Sequence, residues 1–367
     1  MSDEIRRIAV STGGGDAPGL NAVIRAITLS ALRRRWEVIG IQRGYEGLLD
    51  THETVTLDHR AVRGISHLGG TILGTSNRGN PFEYPQRQVG GEVAAMDRSD
   101  ELIENFRRLG LDAMISIGGD GSMDIANKLA EKGIPIVGVP KTIDNDLDGT
   151  VVTFGFQTAV AVATDAVDRL HSTAEAHERV FAVEVMGRYA GWIALHSALG
   201  GGADAALIPE IPFDIQTVCD KVMDREARGR RFSIVVVAEG AKPAGGEPAL
   251  IEEARPGANE RLGGIGEQVA AEITRRTGKE TRTVVLGHLQ RGGRPVAYDR
   301  LLALRFGAAA VRVVARHEFS VMVALDPPDV KTVPLSAAIG RMKTVPLGGD
   351  TVSTARELGL CLGDAWP

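Results

Sequence analysis

Three apolar runs, IAVST at 8–12, AMISI at 113–117 and PIVGVP at 135–140, carry no polar alternation and end abruptly in polar, glycine-rich turns. A strand that is apolar on both faces must be covered on both faces, which favours a parallel sheet between layers of helices. Stretches with helical spacing alternate with these runs: LNAVIRAITLSALRRR (20–35), ELIENFRRLG (101–110), which closes on glycine, and SMDIANKLAEKG (122–133). VIGIQ at 38–42 is a further strand. The second half repeats the habit. TAVAVATDAVDRLHSTA (158–174) is helical, 260–278 holds another helix, and VFAVEVM (180–186), ADAALIPE (203–210), FSIVVVAEG (232–240) and RTVVLGHL (282–289) read as strands. The Pro/Gly-rich stretch 239–260 reads as a loop. The rhythm predicts an α/β protein of two Rossmann-like three-layer α/β/α domains, with a cleft near residue 150 that the chain crosses more than once.

A chain of 367 residues, 43% hydrophobic and 24% charged, can bury a core without help from metals or disulfides. Its net charge of −5 argues against nucleic acid and anionic membranes as partners, while leaving room for local basic pockets. Cys219 and Cys361 have neither metal-ligand spacing nor a CxxC pattern and read as reduced thiols. The N-terminal apolar run is too short for a signal peptide, and no stretch reaches the roughly 20 apolar residues of a membrane span. The expectation is a soluble, cytoplasmic protein.

Ligands of open parallel sheets bind at the carboxyl ends of the strands, so the loops there are the candidate binding loops. STGGGDAPGLN (11–21) lies between a strand and a helix; its glycines can turn backbone N–H groups toward an anion, or simply make a tight turn. In GGDGS (118–122), Asp120 stands among glycines, placed to hold Mg²⁺ or, with Ser122, to cap the following helix. PKTIDNDL (140–147) crowds Lys141, Thr142, Asp144, Asn145 and Asp146 into one loop, more polar groups than a surface turn needs and enough to bond a hydroxylated substrate and position a carboxylate base. MGRYAGW (186–192) and LGHLQRGG (286–293) add glycine and arginine at two further strand ends. Arg179, Arg188, Arg282 and Arg291, with His288, form a candidate anion cluster, since the guanidinium fork suits phosphate.

Taken in order, STGGGDAPGLNAVIR, GGDGS, PKTIDND, ERVFAVEVMGRYAGW and VLGHLQRGG resemble the 6-phosphofructokinase family, A type, over roughly residues 5–315. GGDGS alone also resembles the loop of NAD and diacylglycerol kinases, but the other segments do not belong there. The resemblance implies transfer of a phosphoryl group to the 1-hydroxyl of fructose 6-phosphate, in glycolysis, with Mg²⁺ and ATP, or pyrophosphate as the alternative donor. It implies that Asp144 is the general base, with Thr142 beside it and Arg188 stabilising the group in flight. Met186, Gly187 and Glu239 should hold the fructose and Arg179, Arg282, His288 and Arg291 its 6-phosphate, with Thr142, Ile143, Asp144, Arg188, Leu289 and Gln290 as further substrate-binding residues. Gly15, Arg78, Gly119, Asp120, Gly121 and Ser122 should line the donor, Asp120 as the metal ligand and Asp146 assisting the metal or the sugar. Arg179 and Arg282 should reach in from a neighbouring subunit, implying a homotetramer or homodimer with shared active sites. The implied division is a donor domain of residues 1–155 plus about 290–340, and a fructose 6-phosphate domain of 156–289 plus about 341–367.

The donor is read at two positions, where the chain matches the family's mixed-substrate group. Gly121 leaves space and no charge where the α-phosphate of a nucleotide would lie, whereas Lys141 is the residue typical of pyrophosphate users. Excluding a ligand needs a repulsive element, and none stands at 121, so the expectation is ATP. Two features depart from the family pattern: in GTSNRGNPF (74–82) Asn77 stands where the nucleotide-phosphate arginine would be and Arg78 follows, and on the first helix Arg25 is present but Leu29 occupies an expected arginine position of the effector pocket. The RGRR run at 228–231 reads as a solvated basic turn. A non-catalytic sugar-phosphate sensor would need a lost base or metal ligand, and Asp144 and Asp120 are both intact.

Overall fold

The computed structural model describes residues 4–49, 53–76, 79–87, 93–252 and 261–365. Its larger sheet runs, in spatial order, Asp329–Pro334, Val321–Asp326, Ile136–Thr142, Ala113–Gly118, Arg7–Thr12, Glu37–Ile41 and Thr54–Thr56. The five inner strands are parallel and the two edges antiparallel. Strands Ala113–Gly118 and Ile136–Thr142 are buried along their whole length, which is why their sequences show no alternation. The smaller sheet is all parallel, in the order Ala205–Leu207, Ser233–Ala238, Val180–Val185 and Thr281–Val285.

The expected strands and helices are present, with adjusted ends. The run at 282–289 splits into the strand Thr281–Val285 and a 3₁₀ turn, Gly287–Gln290. The 203–210 run forms only three strand residues, Ala205–Leu207. The loop 239–260 carries a short strand, Leu250–Glu252, paired with Arg261–Leu262. Several elements had no clear signal, among them the helix Ala297–Ala315 and the hairpin Val321–Pro334, which complete the larger sheet. Helix Ala297–Ala315 lies against Leu20–Leu32 so closely that a Cβ at Gly307 would stand 2.7 Å from the carbonyl oxygen of Val23. The chain's last turn returns to the smaller sheet, where Cys361 pairs with Ala205. Among the described residues no helix is long and apolar enough to cross a membrane.

Asp299, fully buried, ties two helix starts together: its Oδ2 accepts from the backbone N–H and the hydroxyl of Thr158, each at 2.7 Å. It therefore serves from a distance as cap for helix Phe156–His177, whose own N-cap, Gly155, has no side chain to offer. Asp299→Ala should lower stability by about 2 kcal/mol, combining a lost cap with a stranded buried donor. A fall in the urea midpoint at constant m-value would bear this out, and an unchanged midpoint would refute it.

Candidate active site

Strand register decides which loops meet. Thr12 lies opposite Ile117, and Gly118 opposite Pro140, so the turns after three neighbouring strands emerge side by side at one sheet edge. The first turn is tied to the second strand by Gly13 N–H donating to Ile117 O at 2.9 Å. Ser122 fills the space between them: a Cβ at Gly13 would stand 2.6 Å from its Oγ, and one at Gly118 2.2 Å from its Cβ. Helix Asp120–Glu131 starts at Asp120 itself, with Gly119 as N-cap and no side-chain cap. The capping role considered for Asp120 and Ser122 is thus corrected, because both already lie inside the first helical turn. The space around a Cβ at Gly121 is empty to 4 Å.

The third turn is organised by its own hydroxyl and amide. Thr142 Oγ1 accepts from the backbone N–H of Asp144 at 3.1 Å and also bonds the carboxylate of Asp146. Asn145, between the two aspartates, has φ 52°, a left-handed conformation that asparagine tolerates better than most residues. Its Oδ1 accepts from Thr153 N–H at 3.2 Å and from Lys343 Nζ at 2.7 Å. Oδ1 of Asp144 is closed off from solvent and has no hydrogen-bond partner. Burial pushes the Asp144 carboxyl upward, while Arg291, Arg188 and Lys141 pull it back. Asp146 is pushed up to about 6, first by burial and then by the charge of Asp144. Asp120 is also raised, by partial desolvation and then by Asp146 and Asp124. Asp146 is therefore the electrostatic neighbour of both other aspartates.

The opposite wall comes from the smaller sheet. Ala238 lies in register with Val185, so Glu239 and Met186 leave adjacent strands together. Gly240 passes so near the arginine loop that a Cβ there would fall 1.8 Å from Arg188 O. Glu239 is pushed up to about 7 by burial and then by Asp144, with Arg188 and Arg291 opposing. Arg291 crosses the cleft: its Nη1 donates to Asp16 O at 3.2 Å and stands 2.9 Å from where a Cβ of Gly15 would be. Lys141, buried, donates to Gly15 O and is lowered to about 8, chiefly by burial and then by Arg291.

The cluster so formed contains Gly15, Asp120, Gly121, Ser122, Lys141, Thr142, Asp144, Arg188, Glu239 and Arg291, with Met186, Gly187 and Gly119 on its walls. Two expected substrate contacts need correction at the level of side chains. Ile143 is fully buried in the core, and Gln290 is fully buried with its amide bonded to Gly287 O at 3.1 Å, so only their backbones can face a ligand. His288 and Leu289 are exposed on the 3₁₀ turn. Arg179 and Arg282 are not brought to this cluster: they stand at the amino ends of their strands, both on Glu280, opposite the ends that carry Met186 and Arg291. Arg78 lies outside the described residues. Arg25 and Leu29 line a separate cavity of about 260 Å³ with Arg33, His59, Val62 and Arg63. In the RGRR run, Arg228 pairs with Asp224 and Arg231 with Glu178, as a solvated turn would.

Sequence reasoning missed Glu184 and Lys343. Glu184, buried in strand Val180–Val185, accepts from Gly264 and Gly266 at the start of helix Ile265–Thr277 and helps push Glu239 up. A charged residue inside the run VFAVEVM was the available signal. Lys343 had none, since it acts from about 200 residues downstream of Asn145.

Among the described residues no three His, Cys, Asp or Glu side chains gather closely enough to cage a metal. The donor set nonetheless fits Mg²⁺: the charge of Asp146 raises the neighbouring Asp120 carboxyl, leaving room for a cation beside both, and Mg²⁺ is commonly held by one or two carboxylates plus substrate phosphates.

A family model described as Phosphofructokinase matches residues 7–314. The chain is 53% identical over 364 residues to the ATP-dependent 6-phosphofructokinase of Chloroflexus aggregans, covering 99% of each. It is 50% identical over 342 residues to the pyrophosphate–fructose 6-phosphate 1-phosphotransferase of Streptomyces coelicolor, covering 92% of this chain and 96% of that one. The crystal structure of Pichia pastoris phosphofructokinase in the T-state superposes with a TM-score of 0.78 at 30% identity, over 98% of this chain and 37% of that longer one.

Gly240→Ala should be poorly tolerated, since its methyl would meet backbone rather than a movable side chain. A loss on the order of 3 kcal/mol is expected from overpacking. Thermal denaturation of the variant checks this; a melting temperature equal to that of the parent would show that the arginine loop can yield.

Proposed function

Because the chain belongs to the phosphofructokinase family, we propose that its cleft transfers the γ-phosphoryl group of ATP to the 1-hydroxyl of fructose 6-phosphate, forming fructose 1,6-bisphosphate in glycolysis. The observation that carries this reading is the solvent-excluded, unpartnered Oδ1 of Asp144, set among Arg188, Arg291 and Lys141. Such an oxygen can accept the sugar hydroxyl proton as the alkoxide attacks phosphorus. Burial makes this carboxylate a stronger base than an ordinary aspartate, while Arg291, Arg188 and Lys141 favour its ionised form. Phosphoryl transfer otherwise asks for positioning and charge neutralisation, and Arg188, across the cleft, supplies charge for the group in flight.

Met186, Gly187 and Glu239 would hold the fructose, with the backbones of Ile143 and Gln290. His288 and Arg291 would take its 6-phosphate beside Leu289, joined by Arg179 and Arg282 of a neighbouring subunit; the distance of these two arginines from their own chain's cleft supports a homotetramer or homodimer with shared sites. Gly15, Gly119, Gly121 and Ser122 would line the donor. Asp120 and Asp146 would hold Mg²⁺, which supplies positive charge against the donor phosphates. On this reading the larger sheet, with residues 1–155 and about 290–340, is the donor domain, and 156–289 plus about 341–367 the sugar domain. A cytoplasmic location suits the glycolytic role.

For the donor, the empty space at Gly121 and the relative from Chloroflexus aggregans favour ATP. Pyrophosphate is the second reading, favoured by Lys141 and the relative from Streptomyces coelicolor. Initial rates with each donor, with fructose 6-phosphate as acceptor, separate the two; activity with pyrophosphate alone would defeat the first. Gly121→Asp should cut the ATP rate on the order of 100-fold or more, because a carboxylate beside a phosphate costs several kcal/mol.

The pH profile of kcat/KM should be bell-shaped. On the acid side the Asp144–Asp146 pair must lose protons, and Asp146 is raised to about 6, so the rate falls as pH drops through that region. On the alkaline side Lys141, lowered to about 8, loses its charge and with it the attraction for donor phosphate. Lys141→Gly should remove the alkaline limb and leave the acid one. A profile flat from pH 5 to 9 in the parent would contradict both assignments.

A further inference from the structure

Lys343 sits in a short extended segment that touches both walls of the cleft. On the side of the Asp144 turn, its backbone N–H donates to Asp146 O at 2.8 Å, and the preceding Met342 pairs with Leu147 in an antiparallel bridge. Its ammonium finds three acceptors, Asn145 Oδ1 at 2.7 Å, Thr150 O at 2.9 Å and Val151 O at 3.0 Å, one for each of its three protons. On the side of the arginine loop, Lys343 O accepts from Trp192 Nε1 at 3.0 Å. Two residues on, Val345 N–H donates to Glu210 Oε1 at 2.8 Å, and that same oxygen accepts from Gly191 N–H at 3.0 Å. Gly191 and Trp192 stand three and four residues after Arg188 in the same loop, and Asn145 separates Asp144 from Asp146.

We propose that segment 342–345 is a positioning element of the transfer reaction, which sets the Asp144 turn and the Arg188 loop at a fixed distance, with Lys343 as its central residue. The inference rests on the function proposed above. Its physical content is geometric. Proton acceptance and charge stabilisation come from opposite walls, and both must meet one phosphoryl group, so their separation has to be held within a fraction of an ångström. A left-handed Asn145 has no helix or sheet to hold it; its side chain is clamped from both sides by Thr153 and Lys343. Lys343 touches neither substrate in this scheme and acts through Asn145 and Trp192.

The test is steady-state kinetics on the full-length enzyme with saturating and limiting fructose 6-phosphate and donor. Lys343→Met keeps the length of the stem and removes the three donors. It should lower kcat on the order of 10- to 100-fold while both KM values stay within about threefold, the signature of misplacement in the transition state rather than lost binding. Lys343→Arg, which retains charge and donors, should recover part of kcat. A folded Lys343→Met enzyme with unchanged kcat overturns the proposal, as does one whose KM rises while kcat stands. Should Lys343→Met fail to fold, Asn145→Gly decides: glycine keeps the left-handed backbone and lacks the clamped side chain, so a similar fall in kcat supports the proposal and full turnover overturns it. The parent assayed alongside separates the two levels: no transfer to fructose 6-phosphate from either donor overturns the proposed function and this inference with it, whereas an active parent matched by an equally active variant overturns the positioning role alone.

Discussion

A carboxylate taken out of water must be met by positive charge or give up its own, and the cleft between the two sheets is built around that requirement. Asp144, Asp146 and Glu239 are all raised by burial, and the charge of Asp144 pushes the other two further. The cations that oppose them come from different parts of the chain: Lys141 from the strand just before the turn, Arg188 and Arg291 from the far wall. On its own wall Asp144 has only Lys141, and its larger compensation comes across the cleft from Arg291 and Arg188. The same arrangement that makes closure of the two sheets electrostatically favourable also leaves a basic oxygen and two guanidinium groups around one small space. In this cleft, stability and chemistry draw on the same charges.

Topology makes the convergence possible. Parallel strands deliver every following loop to the same edge, and the register of three neighbouring strands sets the glycine turn, the Asp120 turn and the Asp144 turn in a row. The smaller sheet does the same with Met186, Glu239 and the turn leading to Arg291. Where the loops pass closest, side-chain volume is absent: Arg291 rests on Gly15, and Gly240 slides under the backbone of Arg188. The abundance of glycine at strand ends is thus in part a packing demand of two loop layers pressed together, besides any demand from a ligand.

Much of this was legible in the residues. Strands without polar alternation and acidic or glycine-rich loops after them identified an α/β chain and the right edge of its sheet, and Asp120, Lys141, Asp144, Arg188 and Arg291 do converge. Less legible were elements whose pattern is weak because of where they pack. Helix Ala297–Ala315 is buried on so many sides that its apolar residues form no stripe, and the strand Asp329–Pro334 is an edge with mixed exposure. Side-chain direction also escaped: nothing in TIDND or HLQ says that Ile143 and Gln290 turn inward, because neighbouring residues in a tight turn point in directions set by φ and ψ rather than by a period.

The sequence by itself determined the class of fold, the strand ends that matter and the kinds of group gathered there, since each follows from local pattern and from what a buried or glycine-flanked residue can do. Tertiary structure alone decided the pairings across distance: Asp299 capping a helix that begins over 140 residues earlier, Glu184 against the start of another helix, Lys343 clamping Asn145. Such contacts leave no trace in a local window because their partners are brought together only when elements distant in the chain pack, and a lysine in a polar segment looks the same whether it faces water or three waiting oxygens.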